Sequence, residues 1–132
     1  MIQAPVTQAP IIAIVDDDAS VRRALQRLVE SAGYTVQTFA SAHKFLEWLP
    51  QGQAACLVLD VHMDGMSGLD LQQRLAVPVI FITAHDDVVT LDRIKKSKAA
   101  GHLRKPIDAE AVLNAISGAV NGLDQGPTVK AG

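Results

Sequence analysis

Ile11-Ile12-Ala13-Ile14-Val15-Asp16-Asp17-Asp18 is the stretch on which the fold turns. Five consecutive aliphatic residues, four of them β-branched, read as a strand buried on both faces, the kind found in parallel sheets. The run then breaks into three carboxylates, so the strand ends where the chemistry begins. Four more short runs lie downstream: Tyr34–Phe39, Cys56–Leu59, Val79–Ile82 and His102–Arg104. The first residues of the five runs stand 23, 22, 23 and 23 apart, which leaves room for one helix in each gap.

Helical patterns fill those gaps. Val21, Leu25, Leu28 and Ala32 share one face of a first helix, with Gly33 placed to end it. Ser41 caps a second helix that buries Ala42, Phe45 and Leu49 and stops at Pro50. Ser67 caps a third, running through Leu71 and Leu75, and a fourth covers roughly Val88–Lys98. Asp108 caps the fifth, whose Val112, Ile116 and Val120 share a face before Gly122. The pattern is (βα)5: an α/β chain with a doubly wound, five-stranded parallel sheet and helices on both faces. Residues 1–10 read as a disordered lead-in, 11–121 as one domain, and 122–132 as a tail or linker stub.

Composition narrows the function. The 132 residues suffice for one domain, and 48% hydrophobic with 20% charged can bury a core. A formal net charge of −2 is not the basic balance of a nucleic-acid binder. The single cysteine, Cys56, excludes an internal disulfide and a cysteine-cluster metal site, and reads as a small core residue. No apolar run approaches the ~20 residues of a membrane span. A soluble domain of a reducing compartment, most simply the cytoplasm, is the expectation.

In an open parallel sheet, ligands bind beyond the carboxyl ends of the strands, at the switch in strand order. Strand one is followed by Asp16, Asp17 and Asp18, strand three by Asp60, strand four by Thr83 and strand five by Lys105. Strand two ends in Phe39-Ala40 and offers no chemistry, which places it at an edge, as in the order 2-1-3-4-5. Carboxylates brought close together repel, and a divalent cation removes that cost. Oxygen ligands without His or Cys company favour Mg²⁺. A lysine and a hydroxyl opposite the metal suit a phosphoryl group, and a carboxylate can itself be the nucleophile. Together these residues describe an Mg²⁺-dependent aspartyl-phosphate site.

Taken alone, several of these signals have plain readings. The Asp16–Asp18 run would serve as a helix cap, Thr83 as a strand-end residue and Lys105 as a solvated lysine. The four histidines, 43, 62, 85 and 102, lack metal-ligand spacing. Arg93, Lys95, Lys96 and Lys98 read first as a solvated helix face. For Arg22, Arg23 and Arg27, partner docking and solvation stand level.

Four motifs, in this order and each at a strand end, carry a resemblance: Ile14–Asp18 (IVDDD), Leu59–Gly68 (LDVHMDGMSG), Phe81–Ala84 (FITA) and Lys105-Pro106. Over about residues 11–120 the chain resembles the receiver domains of two-component response regulators, which have a flavodoxin-like fold. The resemblance implies that Asp60 is the phosphoacceptor and that a histidine kinase or phosphotransfer protein is the donor. Asp17, Asp60 and the backbone carbonyl of His62 then correspond to direct Mg²⁺ ligands, with Asp16 assisting through water. Thr83, the Ala84 backbone N–H and Lys105 correspond to the groups that hold the phosphoryl oxygens, and the Lys105–Pro106 bond is expected to be cis. Thr83 and the residue three before the lysine form the family's switch. That second position holds His102 in place of the usual Tyr or Phe, and Asp64 stands where proline is usual.

The resemblance is nearest to the subfamily whose longer members carry a C-terminal helix-turn-helix. It implies a signalling phosphoacceptor rather than an enzyme, acting on an unidentified output partner or output domain, with no nucleic acid or membrane bound directly. Two other readings compete. One is a degenerate receiver that binds partners without phosphorylation. The other is a haloacid-dehalogenase-type phosphatase, which Asp16-x-Asp18 imitates but which leaves Asp60 without a role.

Overall fold

The structure is a computed structural model and describes residues 10–50, 53–61, 75–83, 88–96 and 99–125. Five strands are present, β1 (Ile11–Val15), β2 (Thr35–Phe39), β3 (Cys56–Asp60), β4 (Val79–Thr83) and β5 (Gly101–Arg104). They form one parallel sheet in the order β2-β1-β3-β4-β5, as the distribution of polar strand ends required. The described helices are α1 (Ala19–Ser31), α2 (Ala42–Trp48), α3 (Val88–Lys96) and α4 (Ala109–Gln125). The helix expected from Ser67 lies outside the described residues, as do most of the lead-in and residues 126–132.

Every residue of β3 and β4 is buried, while β5 alternates between half-buried and exposed, as a sheet edge does. Side chains of successive strand residues go to opposite faces. Ile12, Ile14, Cys56, Val58, Ile80 and Ile82 pack on one face, against Leu25 and Val29 of α1 and Val112 and Ile116 of α4. Ala13, Val15, Leu57, Leu59, Val79 and Phe81 pack on the other, against Phe45 of α2 and Ile94 of α3. The two layers of helices leave the carboxyl ends of the strands as the open edge. Cys56 belongs to the core, and burial pushes its thiol up to about 12, so it is inert at neutral pH.

The element ends follow their caps. Asp18 caps α1, Ser41 caps α2 through the Lys44 N–H at 3.2 Å, and the Asp108 carboxylate accepts from the Ala111 N–H at 3.1 Å. Gly33 sits at φ +99°, a left-handed conformation that ends the α1 segment and that glycine adopts without strain. Several boundaries differ from the sequence reading, with β2 starting at Thr35 rather than Tyr34 and β5 at Gly101 rather than His102. Val29 rather than Ala32 completes the buried stripe of α1. β3 and β4 run one residue further, through Asp60 and Thr83, because the ladder continues to Ile82 and Arg104 opposite them. α4 passes Gly122 and ends at Gln125, since one glycine costs a helix about 1 kcal/mol without stopping it.

Candidate functional site at the carboxyl edge of the sheet

Parallel register assembles the site. Val15 of β1 stands beside Leu59 of β3, so the next residue of each strand sets Asp16 beside Asp60. On the other side, Thr83 pairs with Arg104 and its carbonyl accepts from the Lys105 N–H at 2.8 Å. That bond delivers the lysine to the site, and the Lys105–Pro106 peptide that follows is cis, as the resemblance implied. Lys105 Nζ lies 3.8 Å from Asp16 Oδ2 and 3.7 Å from Asp60 Oδ2, so one ammonium faces two carboxylates.

The three consecutive aspartates of the β1–α1 turn have three environments. Asp16 is buried, with 1% exposure. Its Oδ1 accepts from the Asp18 N–H at 2.8 Å, while Oδ2 is buried and has no hydrogen bond. Burial, above all, pushes the Asp16 carboxyl above its usual range. The Asp18 N–H and Lys105 pull against that shift, and the charges of Asp60 and Asp17 add to it. Asp17 is exposed but belongs to the cluster. Asp18 is spent on the helix: its Oδ1 accepts from the Ser20 hydroxyl at 2.7 Å and from the Ser20 and Val21 N–H groups, which hold its carboxyl below the usual range. The Asp16-x-Asp18 pair of the phosphatase reading is thus split, with Asp16 buried in the cluster and the Asp18 carboxylate capping a helix.

Asp16, Asp17 and Asp60 each offer a carboxylate oxygen, and those oxygens lie within 4.8 Å of one another. With Lys105 the four side chains sum to a net charge of −2 when ionised. A hard divalent cation matches that charge and that all-oxygen donor set. Asp16 Oδ2, buried without a hydrogen bond and 3.8 Å from Lys105 Nζ, adds an oxygen to that donor set, so the residues present fit Mg²⁺. Thr83 Oγ1 is the other buried side-chain oxygen without a hydrogen bond among the described residues.

The structure thus brings together Asp16, Asp17, Asp60, Thr83 and Lys105. His62 and Ala84 lie outside the described residues, as does Asp64. His102 is exposed on the edge strand β5, in register with Phe81. One residue has a role beside the site that neither docking nor solvation describes. Arg22, half-buried, donates from Nη1 to the Asp16 carbonyl oxygen at 2.7 Å, while Arg23 and Arg27 are exposed. Its position, four residues after the helix cap, was the available signal, because a long helical side chain points back over the preceding turn.

Among the described residues no helix is long and apolar enough to cross a membrane. Comparison with known proteins agrees with the geometry. The chain is 43% identical over 114 residues to the response regulator protein TmoT of Ectopseudomonas mendocina, covering 83% of this chain and 52% of TmoT. It is 34% identical over 114 residues to the transcriptional regulatory protein FixJ of Bradyrhizobium diazoefficiens, covering 83% and 56%. The chain therefore spans about half the length of these curated relatives. A crystal structure of a response regulator receiver protein from Burkholderia phymatum superposes with a TM-score of 0.77 at 40% identity, over 85% of this chain and 95% of that one. Residues 12–117 match the response regulator receiver domain family, and with its strand order and its acidic strand ends this chain belongs to that family.

Proposed function

We propose that Asp60 is the phosphoacceptor of this receiver domain and takes its phosphoryl group from a phosphohistidine on a histidine kinase or phosphotransfer protein. The observation that carries this reading is the pairing of two buried carboxylates, Asp16 and Asp60, across one lysine. In the step, a carboxylate oxygen of Asp60 attacks phosphorus, the P–N bond to the donor imidazole breaks, and its electron pair stays on the nitrogen, which is then protonated. Asp17, Asp60 and the His62 carbonyl would hold Mg²⁺, with Asp16 assisting. Bound there, Mg²⁺ supplies neutralisation of the phosphoryl oxygens' charge. Lys105, the Thr83 hydroxyl and the Ala84 N–H bind the remaining oxygens.

Thr83 and His102 form the switch that reports phosphorylation to a partner-binding face. The buried, unpartnered Thr83 hydroxyl supports its half of that role, since an incoming phosphoryl oxygen satisfies it. The output lies in a separate partner or in an output domain of a longer regulator. Beryllofluoride, a phosphoryl mimic, tests the reading without a kinase. With Mg²⁺ it should raise the melting temperature of the parent above that in Mg²⁺ alone. Asp60→Asn should lose that increment, and an increment that survives in Asp60→Asn contradicts the assignment.

A further inference from the structure

We infer that Arg22 is a positioning residue of the acidic site: its guanidinium locks the β1–α1 turn so that the Asp16 and Asp17 carboxylates are aimed at Asp60. The inference rests on reading that cluster as a divalent-cation site. Three bonds fix Asp16 in place. Its N–H donates to the Phe39 carbonyl at 3.1 Å, its Oδ1 accepts from the Asp18 N–H at 2.8 Å, and its carbonyl accepts from Arg22 Nη1 at 2.7 Å.

That carbonyl lies one residue beyond the end of β1, where the chain leaves the sheet and a strand ladder no longer supplies a donor. The bond to Arg22 is charge-assisted, hence short and strong. The Arg22 backbone is itself tied to the turn, since its N–H donates to the Asp18 carbonyl at 3.0 Å. One residue therefore holds the turn at two points. Asp17, between the anchored Asp16 and Asp18, is carried in a backbone fixed on both sides. What remains of Asp16 without a hydrogen bond is Oδ2, the oxygen that faces Lys105.

A positioning role and a simple charge effect have opposite signs. A cation beside a cation site repels the metal, so removing a mere charge should tighten Mg²⁺ binding. Removing a clamp should weaken it, and loss of a group that orients ligands costs roughly 10-fold or more in metal affinity. The test measures Mg²⁺ affinity by calorimetry for the parent, Arg22→Ala, Arg22→Lys and the exposed control Arg23→Ala. Alongside it, amide hydrogen exchange in EDTA compares Asp18 with Val29 of the same helix.

Arg22→Ala should weaken Mg²⁺ binding roughly 10-fold. Arg22→Lys, which keeps the charge but loses the planar fork, should weaken it less, and Arg23→Ala should bind as the parent does. In both Arg22 variants the Asp18 amide should exchange faster while Val29 keeps its rate, a pattern that general destabilisation does not produce. Equal or tighter Mg²⁺ binding in Arg22→Ala overturns the inference. If the parent itself binds no Mg²⁺, the cation-site reading fails, and the exchange arm still decides the clamp: unchanged Asp18 exchange refutes it and faster exchange sustains it.

Discussion

The carboxyl edge of the sheet divides into two regions built on opposite terms. Where β2 ends, Phe39 packs against Phe45 edge-on, with ring centroids 5.5 Å apart, and against Trp48 at 5.3 Å. Where β1, β3, β4 and β5 end stand Asp16, Asp60, Thr83 and Lys105, and two buried oxygens there have no hydrogen bond. The regions touch, since the Asp16 N–H donates to the Phe39 carbonyl. The aromatic region spends its side chains on packing, which stabilises the fold. The polar region keeps two oxygens, Asp16 Oδ2 and Thr83 Oγ1, buried without a hydrogen bond, which costs the fold stability. Topology decides which strand belongs to which, because the order reverses at β1 and leaves β2 beyond the crevice.

The largest effect is expected on the aromatic side. Phe45 is fully buried, and Phe45→Ala should cost about 3–5 kcal/mol in urea denaturation. The fraction still folded should keep the parent's Mg²⁺ affinity. On the polar side the sign reverses. Asp16→Asn should raise the stability of the metal-free protein by about 1 kcal/mol, the scale of one unit of pKa shift, because it removes a buried charge that Asp60 and Asp17 repel, and should remove most of the stabilisation by Mg²⁺.

The pH dependence of that gain follows from burial. An acid whose carboxyl is pushed above its usual 3.8 in the fold contributes stability that is complete below that value. The contribution is lost as pH rises through the raised value. The advantage of Asp16→Asn in EDTA should therefore grow with pH from about 4 upward and then level off. Asp17→Asn, at an exposed position, should change metal-free stability much less. Thr83→Val replaces an unpartnered buried hydroxyl by a methyl group. It should raise metal-free stability by up to about 1 kcal/mol and shorten the life of the beryllofluoride complex.

The fold was legible because buried parallel strands are written as consecutive apolar residues, and Ile11–Val15, Cys56–Leu59 and Val79–Ile82 are such runs. Their even spacing left little choice but one helix per gap. The site was legible for a related reason: a charged or hydroxyl residue ending an apolar run marks the carboxyl edge, and four of the five strands end that way. What the sequence hid is the division of labour inside the run of three aspartates. Composition cannot tell that Asp18 is consumed by Ser20 and Val21 while Asp16 goes under. Arg22 was hidden among three arginines because its work is done on a backbone carbonyl, which is the same atom in every residue type. By pattern alone β3 and β4 end at Leu59 and Ile82, since Asp60 and Thr83 look like loop residues until their ladder partners are known.

If Asp60 is the phosphoacceptor of a site completed by a divalent cation, it should take a phosphoryl group from a small donor only when that cation is present. Incubating the purified chain with acetyl phosphate in Mg²⁺ or in EDTA, followed by mass spectrometry of the intact protein and its peptides, tests it directly. The prediction is the mass of one added phosphoryl group, located on Asp60, present in Mg²⁺ and absent in EDTA. A phosphoryl group on another residue, or equal labelling of Asp60→Asn, would contradict it.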